Sequence, residues 1–140
     1  MMIKQISLFL ENSPGKVREP CRVLADAGVN VRTLTLADTQ QFGILRLIVS
    51  DWEKGQRVLQ DAGYSVNVTE VVAVEVEDHP GGLAALLDSL AGTSVNIEYM
   101  YAFTFGRDSR AVMIFRFDDP KRAIDRLRAA GINVLPAADL

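Results

Sequence analysis

Several things are scarce in this 140-residue chain. It has one cysteine, Cys21, and one histidine, His79. A lone cysteine excludes an intramolecular disulfide, and one Cys with one His does not make a zinc site. No run of ~18 apolar residues occurs, so no membrane span is expected. The opening "MMIKQISLFLEN" is too short and too polar for a secretory leader, and a cytoplasmic location is expected. No basic tail or Lys/Arg cluster is present, so the footprint of a nucleic-acid binder is missing. What remains is 49% hydrophobic and 24% charged, with a net charge of −3, enough to build a packed core. The charge is uneven: residues 1–70 hold eight basic and eight acidic side chains, residues 71–140 seven and ten.

The chain repeats itself. "ENSPGKV" at 11–17 returns as "EDHPGGL" at 77–83, 66 positions on. "LADAGVNV" from Leu24 aligns with "LAGTSVNI" from Leu90 at the same offset. "ILRLIVSD" from Ile44 and "LQDAGYSV" from Leu59 align with "VMIFRFDD" and "LRAAGINV" at an offset of 68, so the second copy gains two residues near "FGRDSR". Self-similarity of this kind has to be read before any fold is assigned.

Each copy carries the same pattern. An apolar strand ("IKQISLFL", "VVAVEV") leads into Pro-Gly and an amphipathic helix. Val17, Cys21 and Leu24 mark the first helix; Leu83, Leu86, Leu87 and Leu90 mark the second. Two strands follow, from Val29 to Ala37 and Phe42 to Ser50, then from Val95 to Phe105 and Ala111 to Phe117. A further helix starts behind Asp51 or Asp119, both good N-caps, with Pro120 suited to the first helical position. It ends at Gly63 or Gly131, and a last strand closes the copy. The fold class is therefore α+β: two ferredoxin-like βαββαβ units in tandem, residues 1–70 and 71–140, each an antiparallel sheet with helices on one face. Pro20 falls inside the first helix and should kink or shorten it.

The "N-x-P-G" and "D-x-P-G" phrases, the "GVNV" and "SVNI" strand openings and the strand–helix order together resemble tandem ACT-domain proteins, over essentially the whole chain. That resemblance implies two ACT modules, a free amino acid as ligand and a regulatory role toward an amino-acid metabolic enzyme; as a departure, no catalytic domain is expected on this chain, so the regulated activity is expected elsewhere.

The residues suit such a ligand on their own terms. Glycine admits close approach to the backbone, and a helix N-terminus offers free N–H groups to an α-carboxylate. An oxygen of Asn12 or Asp78 can accept from an α-ammonium. The same phrase is also a well-formed helix cap, with Ser13 or Asp78 as the capping residue. The candidate ligand-binding residues are Asn12, Ser13, Pro14, Gly15, Lys16 and Val17 in the first copy, and Asp78, His79, Pro80, Gly81, Gly82 and Leu83 in the second. Asn30 with Val31 and Asn96 with Ile97 open equivalent strands, either as turn residues or bordering the ligand. Asp78 offers a full charge where Asn12 offers a dipole, and Gly82 leaves more room than Lys16, so the second loop is expected to bind more tightly.

No catalytic residues, metal or cofactor are expected. Cys21 reads as an inert core thiol, and it shares no context with His79. The alternating Tyr99, Tyr101, Phe103 and Phe105 read as a packed sheet face, since no basic surround supports an RNA platform. Open sheet edges and that aromatic row predict a homodimer. An interaction protein without a ligand is the competing reading.

Overall fold

The computed structural model describes residues 2–104, 106 and 108–140; Phe105, the end of the aromatic row, lies outside the described residues. Among them the elements run β1 (Ile3–Glu11), α1 (Arg18–Asp26), β2 (Val31–Asp38), β3 (Phe42–Val49), α2 (Trp52–Asp61), β4 (Val66–Glu77), α3 (Gly82–Ser89), β5 (Ile97–Ala102), β6 (Arg110–Phe117), α4 (Pro120–Ala129) and β7 (Val134–Leu135). A 3₁₀ turn, Ala137–Asp139, follows. The chain divides into two compact units, Lys4–Thr69 and Met1–Ile3 with Glu70–Leu140.

In the first unit β3 lies between β1 and β2, antiparallel to both, with Leu8 opposite Leu45 and Leu34 opposite Leu47. Alternation along β1 and β3 sends Ile6, Leu8, Leu10, Leu45 and Leu47 to one face, where Leu24 of α1 and Leu59 of α2 complete the core. In the second unit the order is β7-β4-β6-β5, every pair antiparallel, which is the ferredoxin-like order. Val72, Val74, Val76, Phe115 and Phe117 meet Leu86 and Leu90 of α3 and Leu127 of α4. The Phe115 and Phe117 rings stack at 5.2 Å, as same-face neighbours on one strand can.

The later helix of each unit forms as its chemistry dictates. Asp51 accepts from the Lys54 amide at 3.1 Å and Asp119 from the Arg122 amide at 3.2 Å. Pro120 occupies the start of α4. Past the helices, Gly63 and Gly131 take φ of +96° and +76°. Tyr64 and Ile132 then donate back to Leu59 and Leu127 at 3.1 and 3.0 Å, closing a Schellman turn each.

The earlier helices depart from expectation. Neither Ser13 nor Asp78 caps one: α1 starts behind Val17 and α3 behind Gly81, neither with a side-chain cap. Pro14 stands four residues and Pro80 two residues before the first helical position, so neither opens its helix. Pro20 lands at the third position of α1, where the backbone N–H has no intrahelical partner to lose, so α1 starts late and is not broken. On α3, Leu86 and Leu90 are buried, whereas Leu83 and Leu87 are exposed.

Tyr99 and Tyr101 are half-buried and Phe103 is buried within its own chain. The large exposed apolar side chains lie elsewhere, among them Phe9, Leu36 and Phe42 of the first unit.

Candidate functional site

The Pro-Gly phrases are β-turns. Lys16 N–H donates to the Ser13 carbonyl at 3.4 Å, and Gly82 N–H to the His79 carbonyl at 3.0 Å. Gly15 and Gly81, third in each turn, have φ of +83° and +90°. Proline at the second place and a left-handed residue at the third define a type II turn, which only glycine enters without strain. A Cβ at either glycine would point into open space. Gly82, next in the second phrase, does sit against other backbone: a Cβ there would run into the Glu77 carbonyl.

Each turn is tied to the hairpin of its own unit in an equivalent way. Asn12 N–H donates to Gln41 at 2.8 Å, and Asp78 N–H to Ser109 at 2.9 Å. The side chains then diverge. Asn12 Nδ2 donates to the Gln40 carbonyl at 2.8 Å and is committed to holding the hairpin. Among the described residues the Asp78 carboxylate makes no hydrogen bond or ion pair, and its charge acts on His79 beside it. His79 Nε2 lies 2.6 Å from Glu77 Oε2, and its Nδ1 lies 2.9 Å from the Pro80 carbonyl. These contacts raise the His79 pKa above 6.5, chiefly through the Pro80 carbonyl and next through Glu77. Asn12, Ser13, Pro14, Gly15, Asp78, His79, Pro80 and Gly81 are exposed, Lys16 and Val17 are half-buried, and Gly82 is buried.

Asn30 and Asn96 also hold equivalent places. The Asn30 amide donates to the Ser50 hydroxyl at 2.9 Å and the Asn96 amide to the Asp118 carboxylate at 2.8 Å, leaving both Asn side chains exposed. Val31 and Ile97 beside them are half-buried. Within one unit, however, these asparagines do not meet the Pro-Gly turn. Glu11 pairs with Phe42 at one end of β3, and Val31 pairs with Val49 at the other. The length of β3 stands between them, roughly 24 Å at about 3.4 Å per residue. The second unit repeats this, with Glu77 opposite Arg110 and Ile97 opposite Phe117.

The turn end of the second unit borders an open cleft of about 320 Å³. Glu75, Glu77 and Arg110 line it together with Gly82, Ala85 and the 130–133 turn. Of the residues expected from sequence, Gly82 alone lines it. Glu75 and Arg110 were missed because only the pairing of β4 with β6 brings them together. Among the described residues no group of three or more His, Cys, Asp or Glu could hold a metal ion, and no helix is long and apolar enough to cross a membrane.

Residues 1–137 match the family model described as an ACT domain pair. The chain belongs to the ACT domain pair family. A solved structure, protein BT0572 from Bacteroides thetaiotaomicron, is 38% identical, with a TM-score of 0.92 over 99% of this chain and 95% of that one. The ligand-free regulatory subunit of aspartate kinase from Thermus thermophilus is 18% identical, with a TM-score of 0.66 over 91% of each chain. The corresponding subunit from Thermus flavus is 17% identical, with a TM-score of 0.64 over 91% of this chain and 90% of that one. At that identity the two Thermus subunits share the ACT-pair fold with this chain. No curated protein matches.

Proposed function

We propose that this ACT pair is a non-catalytic regulatory protein that binds a free amino acid, with residues 1–70 and 71–140 as its two modules. The observation that carries the reading is the type II Pro-Gly turn, built twice at the end of a core strand and tied each time to its hairpin. Exposed backbone beside a helix N-terminus suits an α-carboxylate, and the unpartnered Asp78 suits an α-ammonium. The two Thermus neighbours are regulatory subunits of aspartate kinase, and an amino-acid metabolic enzyme is the class of partner we assign here, in the cytoplasm.

Turn and asparagine stand at opposite ends of each unit. A site using both, such as Asp78 with an Asn30 or Asn96, therefore needs an interface that sets one unit's turn end against another's asparagine end. A homodimer supplies such an interface. Calorimetric titration with each of the twenty amino acids tests the proposal. A saturable heat with at least one is expected; silence with all twenty overturns it. A second reading, an adaptor that binds protein and no ligand, is favoured by the exposed Phe9 and Phe42 and would survive that silence.

A further inference from the structure

A row of side chains on the sheet face away from the helices is repeated in the two units. In the first unit Phe9, Ile44 and Ala37 stand side by side across β1, β3 and β2. In the second unit Glu75, Val112 and Phe103 hold the same places, at offsets of 66, 68 and 66. Phe103 N–H donates to the Val112 carbonyl at 2.7 Å, which carries the row one residue past β5. The strand neighbours Leu8, Leu10 and Leu45, and Val74 and Val76, point the other way, into the cores. The two rows differ in what lies over them. Phe9 and Ala37 are exposed and Ile44 is half-buried. Phe103 is buried, Val112 is half-buried, and the Glu75 side chain is only 14% exposed.

The difference comes from the chain beyond each last strand. After Asn67, the first unit's counterpart of Leu135, the chain runs on as β4. After Leu135 it turns at Pro136 and makes the 3₁₀ turn Ala137–Asp139. Asp139 and Leu140 then face Glu75, Phe103 and Val112 across a gap of about 40 Å³, beside the buried Leu135. That turn is loosely held. Its hydrogen bonds are its own: Asp139 N–H donates to the Pro136 carbonyl at 3.0 Å and Leu140 N–H to the Ala137 carbonyl at 3.2 Å. Among the described residues 136–140 make no hydrogen bond to the sheet, and the last ladder pair before them is Leu135 with Ala73. Apolar contact at Leu135 and Leu140 keeps the turn down, while Ala137, Ala138 and Asp139 are exposed. A segment with so few buried apolar contacts opens at low free-energy cost.

We propose that residues 136–140 are a cap acting in cis: they close in the second unit the row that the first unit leaves open, and their release gives the chain a second association face. The face that opens is Val112, Phe103 and Leu135, flanked by the Glu75–Arg110 ion pair. Its occupant is the open row of a second copy, Phe9 with Ile44, apolar against apolar. Two unlike patches meet in that contact, so it repeats from copy to copy as a ring or an open chain and does not stop at a symmetric pair. The cap is independent of amino-acid binding.

The test is light scattering of the full chain beside a chain ending at Leu135, over a range of concentrations, with thermal unfolding to show that each is folded. The shortened chain should exceed the full chain's mass, and the excess should grow with concentration. Leu140→Asp in the full-length chain removes the apolar anchor without shortening and should shift the mass the same way, to a smaller extent. Phe103→Ser in the shortened chain should return the mass to that of the full chain. If the shortened chain and Leu140→Asp are folded and their masses unchanged, the turn only stabilises its unit and the cap is overturned. Growth that Phe103→Ser leaves untouched overturns the face assigned to it. Should the shortened chain unfold, Leu140→Asp alone decides.

Discussion

His79 Nε2 stands 2.6 Å from the Glu77 carboxylate, in the turn that leads from β4 into α3. With the Pro80 carbonyl on its other nitrogen, the ring is held where a proton on each nitrogen would be shared, so the charged form is favoured. The folded pKa is raised above the unfolded value of 6.5. The resulting stabilisation is fully present below 6.5 and is lost as pH rises through the folded midpoint. The ring is exposed and its contacts are at the surface, so the titration itself is the measurement. An NMR titration of His79 should give a midpoint above 6.5, and Glu77→Gln should lower it part of the way, the Pro80 contact remaining. A midpoint at or below 6.5 in the unaltered protein would contradict the geometry.

Gly81 and Gly82 should fail differently when a methyl is added. Gly81→Ala meets open space but must hold φ near +90°, a left-handed conformation that costs about 1–2 kcal/mol. Gly82→Ala drives its Cβ into the Glu77 carbonyl, which is backbone and cannot rotate away. Its cost should exceed that of Gly81→Ala and reach at least about 2 kcal/mol. Urea unfolding of the two variants decides the order, and an equal or reversed order would refute the close approach at Gly82.

What could be read from the sequence follows from which interactions are local. Asp51 and Asp119 were readable as caps because a cap needs only a carboxylate three residues before a helical amide. Gly63 and Gly131 were readable because the left-handed turn after a helix nearly demands glycine. The Pro-Gly phrases misled by one step: proline followed by glycine satisfies both a helix start and a type II turn, and the sign of φ at Gly15 and Gly81 is not written in the letters. The cleft was out of reach. It depends on the register that sets Arg110 beside Glu75 and on Gly82 and Ala85 being too small to fill a space the sequence does not display. The separation of Asn30 from the Pro14–Gly15 turn likewise follows from the antiparallel course of β3.

The two N-caps of the later helices are equivalent and should cost alike. Asp51→Ala and Asp119→Ala each remove one carboxylate from a first-turn amide, worth about 1 kcal/mol. Thermal unfolding of the two single variants should show similar losses. A loss confined to one would mean that the other helix start is held by something besides its cap.

Association should run through the first unit. Phe9 is 61% exposed and Phe42 50%, and both stand on one face of the β1–β3 pair, where the second unit carries Glu75 and Arg110. Single exposed apolar residues are ordinary, but a cross-strand pair of phenylalanines is a patch. Light scattering of the unaltered protein is expected to give twice 15.4 kDa, and Phe9→Ser with Phe42→Ser should move the mass toward that of one chain. One chain's mass at every concentration would reject the dimer; a dimer untouched by the double variant would place its interface elsewhere.

The two turns should separate stability from binding. Asn12 and Asp78 are equivalent in position, and their backbone amides make the same hairpin contact. Asn12 also gives its side-chain amide to Gln40, a residue held at φ +72° in the tip of the β2–β3 hairpin. Asn12→Ala therefore removes a structural hydrogen bond and should lower stability by about 1 kcal/mol. Asp78 makes no such contact among the described residues, so Asp78→Ala should leave stability within about 0.5 kcal/mol of the unaltered protein. Its carboxylate is free to accept from an α-ammonium, and a charge-assisted bond is roughly twice as strong as a neutral one. Affinity for an amino acid should consequently fall more in Asp78→Ala than in Asn12→Ala, measured by calorimetry at one salt and one pH. Urea unfolding run beside it gives the opposite ranking if the reading holds. Should Asn12→Ala cost as much affinity as Asp78→Ala while staying folded, the first turn binds ligand as well as the second, and the asymmetry between the loops is wrong.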